Sequence, residues 1–247
     1  ARLYGLGTSD MKSFLALALE ASRDIQAIDL NEPLILLATA DEETSMSGAR
    51  ALVDAQQPRA RHAIIGEPTG LHPVRMHKGI LMEAIRLHGH SGHSSDPSLG
   101  NSALEAMHVV IDSILTWRRE LQDQYRDPLF AVPVPTLNLG HIHGGDNPNR
   151  ICAECELHLD LRPLPGMDAS ELRGELHNRV RHSLRDSGIA SDFESLSAGV
   201  PPLKTPPDAP IVTLVEKLSG YPAQAVAFAT EAPYLAQLGI DTVVMGP

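Results

Sequence analysis

The first 75 residues switch between helical and strand spacing of their apolar positions. TSDMKSFLALALEAS predicts a helix capped by Thr8 or Ser9, with an apolar stripe of Met11, Phe14, Leu15, Ala18 and Leu19. PLILLATA, residues 33–40, predicts a strand buried on both faces, as in a parallel sheet. SMSGARALVDAQQ and HAIIGEPTG predict a second helix and a second short buried strand. This order indicates an α/β domain.

From residue 76 the pattern becomes that of an antiparallel sheet with helices. ILMEAIRLHG, PTLNLGHIHGG, ICAECELHLDLRP and SDFESLS predict strands, and the third alternates cleanly, with a polar face of Glu154, Glu156, His158, Asp160 and Arg162. A long amphipathic helix follows the first strand, with one apolar side made of Ala103, Met107, Val110, Ile114, Trp117 and Leu121. Another helix opens at Asp168, with Glu171 completing a capping box. The order β-α-β-β-α-β predicts an α+β ferredoxin-like sandwich.

The α/β pattern resumes after PPLKTPPDAP. A helix ended by Gly220, a capped helix in TEAPYLAQLG and a buried strand in TVVMGP follow each other. The sequence therefore predicts one α/β domain in two parts, residues 1–75 and 199–247, into which a second domain, residues 76–198, is inserted.

Composition excludes several classes of protein. The 247-residue chain has a formal net charge of -11, which argues against a nucleic-acid partner because phosphate binding needs a basic face. It has no apolar run of about 18 residues, so we expect no membrane contact. Its two cysteines, Cys152 and Cys155, lie in a strand pattern that directs them to opposite faces, which favours a structural role and a reducing, cytoplasmic setting.

Carboxylates follow both predicted strands of the first part. Asp41, Glu42 and Glu43 come after the first strand, Glu67 follows the second, and Asp10 lies at the start of a helix. Ligands gather at the carboxyl ends of strands in open α/β sheets, so these acids are expected to converge. One or two divalent cations would offset their repulsion, with one glutamate as a ligand and its neighbour as a proton carrier. Alternatively, residues 41–43 cap the next helix and face water.

Four motifs add a resemblance to this interpretation. YGLGTSDMK, ATADEE, IGEPT and GHSGHSSDP resemble the M20 family of co-catalytic metallopeptidases and deacylases, and the resemblance covers essentially the whole chain. It implies a zinc-peptidase-like α/β catalytic domain, here incomplete, with an inserted dimerisation domain. It also implies two divalent metal ions, zinc first and cobalt as the alternative. Asp10 would bridge them, Glu43 and Glu67 would each bind one, and Glu42 would be the general base.

The same resemblance assigns residues of the inserted domain. His93 would polarise the scissile carbonyl in the active site of the partner subunit, which implies a homodimer. Asn149 and Arg162 would hold the substrate's carboxylate, a task that suits a guanidinium. The implied reaction is hydrolysis of an N-acyl amino acid, first N-acetylornithine in arginine biosynthesis. The alternatives are succinyl-diaminopimelate and other N-acyl amino acids.

Two parts of the family pattern are missing. The family has an early His-x-Asp and a second ligand histidine near its C-terminus, and neither is present, so we expect a chain truncated at both ends with impaired activity. A non-catalytic dimerisation module is the alternative from another class. His158 and Asp160 do not replace the early motif, because strand alternation puts both on a surface away from the acids. Other histidines have ordinary interpretations: loop residues for His88 and His90, and a strand end for His141 and His143.

Overall fold

The computed structural model describes residues 4–26 and 30–247. Its elements, in chain order, are α1 Lys12–Arg23, α2 Ser47–Ala55, β1 His62–Ile65, β2 Val74–His77, β3 Leu81–His88, α3 Ala103–Gln124, β4 Thr136–Gly144, β5 Glu154–Arg162, α4 Ala169–Ser183, β6 Ala190–Ser195, β7 Leu203–Lys204, α5 Pro210–Ser219, β8 Gln224–Val226, α6 Ala232–Gln237 and β9 Asp241–Val244. The chain forms two compact units, one of residues 1–77, 203–226 and 230–247 and the other of residues 78–202 and 227–229.

The first unit is built on a small mixed sheet in the order β1-β9-β2-β7, with β8 beside β2. Strands β1 and β9 are parallel. Adjacent residues of β9 point to opposite faces of the sheet. Val243 packs with α5 residues, and Val244 packs with Ala232 of α6. Helices therefore cover both faces of β9, as the apolar run TVVMGP predicts.

The second unit is an antiparallel sheet in the order β4-β5-β3-β6. Helices α3 and α4 pack on the sheet and on each other. The side of α3 predicted from the sequence is buried, from Ala103 to Leu121. Asp168 caps α4 by accepting hydrogen bonds from the backbone N–H groups of Ser170 and Glu171. The α/β fold class with an inserted ferredoxin-like domain is confirmed.

A glutamate lies on the apolar side of this sheet. Glu83 of β3 is 1% exposed. Its Oε1 accepts hydrogen bonds from Arg173 Nε of α4 and from the Ser195 hydroxyl of β6, both at 2.8 Å. His177 Nε2 lies 3.7 Å from Oε2. Because burying a charge without partners is very costly, this network is what allows Glu83 to remain inside.

The strand predicted at residues 33–40 is wrong. This segment has no regular secondary structure, and Leu34 and Ile35 are 53% and 47% exposed. An extended run becomes a strand only when a neighbour accepts and donates its backbone hydrogen bonds. Neither sheet of the described residues provides one. The apolar pattern shows which side chains the segment would bury, but it does not show whether a neighbouring strand is present.

Two smaller expectations also need correction. Met11 rather than Thr8 or Ser9 occupies the cap of α1, without a side-chain hydrogen bond, and the Thr8 hydroxyl donates to the Gly5 carbonyl instead. Strand β1 is only partly buried, with Ile64 42% exposed. Both cysteines are free and buried. No helix within residues 4–26 and 30–247 combines the length and apolar character needed to cross a bilayer.

Candidate active site

The acids that the sequence singles out lie close together in the first unit. Asp10 precedes α1, Glu42 and Glu43 occupy the turn before α2, and Glu67 follows β1. Asp10 interacts electrostatically with Glu42 and Glu67, and it hydrogen-bonds the Glu67 carboxyl. The charge of Glu43 raises the pKa of Glu42, and the charge of Glu42 raises the pKa of Glu67. We call Asp10, Glu42, Glu43 and Glu67 the acidic cluster.

Two members of the acidic cluster hold their protons unusually tightly. Partial burial raises the pKa of Glu42 to about 7, and the negative charges of Glu43, Glu231 and Asp10 add to the shift. Burial also raises the pKa of Glu67 to about 7, assisted by Glu42, Asp10 and Glu231. Both shifts have the causes expected of crowded carboxylates, since desolvation and like charges disfavour the ionised form. A nearby cation would offset the repulsion between the like charges and so lower both pKa values.

For Glu231, the fifth acid at this position, the sequence left two interpretations open: a place in the substrate pocket, as the family resemblance implies, or a helix cap. Glu231 is 8% exposed at the N-terminus of α6, and burial raises its pKa. The Thr39 hydroxyl donates to its Oε2 at 2.6 Å, but its buried Oε1 has no hydrogen-bond partner. Only the fold brings Glu231 to the cluster, across 192 positions from Thr39.

The loop that carries Glu67 is held by the segment after β9. Leu71 N donates to the Gly246 carbonyl at 2.8 Å, and Gly246 N donates to the Thr69 hydroxyl at 3.2 Å. A Cβ on Gly246 would lie 2.4 Å from the Glu67 carbonyl oxygen. The close approach of these two backbones therefore requires a glycine at this position.

Asp41, the first acid of the triplet, has a different task from its two neighbours. Its backbone adopts a positive φ of 62°. Its carbonyl accepts a hydrogen bond from Met46 N at 2.7 Å, and its carboxylate accepts one from the Ser47 hydroxyl. Helix α2 itself has no side-chain cap. The alternative in which these acids cap α2 is therefore wrong: Asp41 closes the turn that presents Glu42 and Glu43.

The acidic cluster suits a divalent cation by charge and by ligand type. Carboxylate oxygens are ligands for zinc and for hard cations, and the unpartnered Oε1 of Glu231 adds a fifth acid. Its spacing is open, however. In the described ranges, only His141, Glu156 and His158 bring three potential ligand atoms within 4.8 Å of one another. Carboxylates of the cluster would have to move closer together to share an ion.

The site residues expected in the second unit fall at two places. His93 is exposed and accepts a hydrogen bond at Nδ1 from Ser95 N at 3.2 Å. Ser94 N donates to the Asn149 carbonyl at 3.0 Å, so the His93 and Asn149 loops are neighbours. Arg162 is the last residue of the nine-residue β5, and its Nε donates to Asp160 at 2.9 Å. At ~3.3 Å per residue, Arg162 lies about 26 Å from the first residue of β5. The His93 and Asn149 loops lie towards that first end of the strand, away from Arg162.

Comparisons with known proteins bear on this arrangement. Residues 75–187 match the peptidase dimerisation domain of the M20 family. The whole chain is 50% identical to acetylornithine deacetylase of Edwardsiella ictaluri and 49% identical to that of Pectobacterium carotovorum, and it spans 64% of the length of each.

The chain carries the dimerisation domain of the M20 family, and its whole length is similar to acetylornithine deacetylases. Its fold is similar to those of two solved peptidase structures, each covering 84% of this chain and 54% of the other at 18% identity. One is a tripeptidase of Staphylococcus aureus with a TM-score of 0.63, and the other is an aminopeptidase of Bacillus cereus with a TM-score of 0.64. At that identity, the likeness concerns the fold. The acidic cluster lies in the α/β unit, while residues 75–187 carry the dimerisation domain.

Proposed function

We propose that this M20 chain belongs to a metal-dependent amide hydrolase that deacetylates N-acetylornithine, releasing ornithine and acetate. The observation that carries the proposal is the convergence of Asp10, Glu42, Glu43 and Glu67 from three distant parts of the sequence. The identity of about half of the chain's positions to two acetylornithine deacetylases supports the choice of substrate.

The residues divide the work in the following way. Asp10, Glu43 and Glu67 hold the divalent ions, zinc first and cobalt as the alternative. Such ions, when bound, polarise an amide carbonyl and acidify water. Glu42 takes a proton from the attacking water and delivers it to the leaving amine. Its pKa of about 7 before cation binding already places this proton near the working range of a general base.

The second unit completes the site in this proposal. His93 polarises the scissile carbonyl of the substrate bound in the partner subunit's active site. Asn149 and Arg162 bind the substrate's carboxylate. The placement of Arg162 at the opposite end of β5 from the other two fits a division between two subunits. The protein is therefore proposed to be a homodimer. We also propose that it is cytoplasmic. Sedimentation should give twice the chain mass of 26.6 kDa.

An assay on three substrates tests the activity. Zinc-loaded protein, both the 247-residue chain and the product of its whole gene, is given N-acetylornithine, N-succinyl-diaminopimelate and a second N-acetyl amino acid. Glu42→Gln should lower kcat about 100- to 10,000-fold, the range for a lost general base. Asp41→Asn is the matched control, since the asparagine still accepts from Ser47 and tolerates a positive φ. Preference for the succinyl compound would reject the acetylornithine assignment.

One observation favours a second candidate, a non-catalytic dimerisation module. No three oxygens of the acidic cluster lie within 4.8 Å of one another in the described part of the chain. The activity assay decides between the two. The module predicts a dimer without turnover of any of the three substrates, whether made as the 247-residue chain or from the whole gene. Turnover that Glu42→Gln abolishes would exclude it.

A further inference from the structure

A group of side chains of the types that ligate metals lies on the second unit's sheet, on strands that carry none of the acidic cluster. His141 of β4 and Glu156 and His158 of β5 each offer a ligand atom, and these atoms lie within 4.8 Å of one another. His141 and His158 are a directly opposed cross-strand pair, with ring centroids 4.7 Å apart. The group is separate from the proposed catalytic residues of this domain.

A shift in strand register brings His141 to this face. Leu139 pairs with Leu159 on the apolar side, but His141 pairs with His158, so Gly140 is an extra residue in β4. Without that extra residue, alternation would place His141 opposite Leu157 on the apolar side. Bulges of this kind redirect side chains and occur next to functional sites. The strand pattern alone could not reveal it, because it contains no information on pairing.

The Glu156 carboxylate has a partner at each of its two oxygens. Arg86 of β3 hydrogen-bonds Glu156 Oε2, and His158 Nε2 contacts Oε1. The Glu156 and His158 side chains are 28% and 30% exposed, so an ion could enter from solvent. An outer partner that fixes a ligating carboxylate is a regular feature of metal sites. Arg86 occupies Oε2 and leaves Oε1 to His158.

We propose that His141, Glu156 and His158 form a binding site for Zn²⁺ or a similar borderline divalent cation. Two imidazoles and one carboxylate are a ligand set that zinc uses, with a fourth position left for water. Ligand atoms of tetrahedral zinc lie about 3.3 Å apart, so side-chain rotations need close a gap of at most ~1.5 Å. The ion would join edge strand β4 to β5 in the sheet.

Calorimetric zinc titration tests the site in the full 247-residue chain. Glu43→Gln and Glu67→Gln are introduced first, so that the acidic cluster contributes little. In that background, one zinc ion should bind per chain, and His141→Ala or His158→Ala should weaken it at least 10-fold. Mg²⁺, which prefers oxygen ligands, should not bind with comparable affinity.

His143→Ala is the matched control. His143 is exposed on the same strand and pairs with Glu156, but it does not belong to the group. Zinc should shift the ring resonances of His141 and His158 in NMR spectra and spare His143. Absence of zinc binding in the background protein would overturn the proposal. A loss on His143→Ala as large as that on His141→Ala would also overturn it. His141→Ala keeps the Glu156–His158 ion pair. Unchanged zinc affinity in this variant would show that His141 is not a ligand, and it would overturn the proposal of a three-residue site.

Discussion

Removal of the Glu83 carboxylate should destabilise the second unit more than any exposed ion pair can. Glu83→Ala deletes two hydrogen bonds of 2.8 Å and leaves Arg173, His177 and Ser195 without their common partner. Breaking a buried pair costs ~3–5 kcal/mol. The Arg173 side chain is 31% exposed and can turn towards water, which reduces the loss to about 2–4 kcal/mol.

The chain provides its own probe for this measurement. Its single tryptophan, Trp117, is 2% exposed in α3, so its fluorescence reports unfolding of the second unit. With an m-value of ~1.5 kcal/mol/M in urea, the loss corresponds to a midpoint lowered by about 1.3–2.7 M.

Glu194→Ala is the control for the Glu83 experiment. Glu194 lies on the neighbouring strand β6, and its carboxylate meets Arg86 at 2.7 Å. Those two side chains are 51% and 44% exposed, so the change should cost at most ~1 kcal/mol. Equal midpoints for Glu83→Ala and Glu194→Ala would refute the argument that burial makes the difference.

Three other substitutions test separate features. Burial lowers the pKa of His177 from 6.5, so the folded chain binds that proton less tightly than the unfolded chain. Stability should therefore fall as pH drops below 6.5, and His177→Gln should reduce that fall in urea titrations at several pH values. Gly174→Ala, in open space within α4, should raise the free energy of unfolding by ~0.5–1 kcal/mol in urea titrations followed by Trp117 fluorescence. Gly246→Ala should lower the first unit's stability in calorimetry by ~1–3 kcal/mol, because its Cβ meets the Glu67 carbonyl. A neutral Gly246→Ala would contradict the close packing there.

The second unit was the more predictable part of the fold. One face of β5 and one side of α3 must be buried, and this requirement imposes a period that can be read along the chain. Pairing carries no such signal. The segment 33–40 has a strand's composition without a strand's neighbour, and β7 and β8, with two and three residues, are too short to show a period.

The candidate site shows the same division. Asp10, Glu42, Glu43 and Glu67 were accessible from the sequence because each follows or precedes a recognisable element. Glu231 was left open between the substrate pocket and a helix cap, because its proximity to the other acids arises only when α6 packs in the first unit. His141 was missed for a related reason, since an inserted glycine changed which face it occupies.

The parallel pairing of β1 with β9 has a consequence for biosynthesis. His62 lies beside Asp241, so β1 obtains this neighbour only after the ribosome has made the residues up to 244. Residues 78–202 are contiguous and can fold while later residues are still being added. The Glu67 loop must wait for Gly246. During synthesis, the dimerisation domain should therefore acquire protease resistance early, whereas the acid-bearing unit should stay cleavable until residues 241–246 have been made.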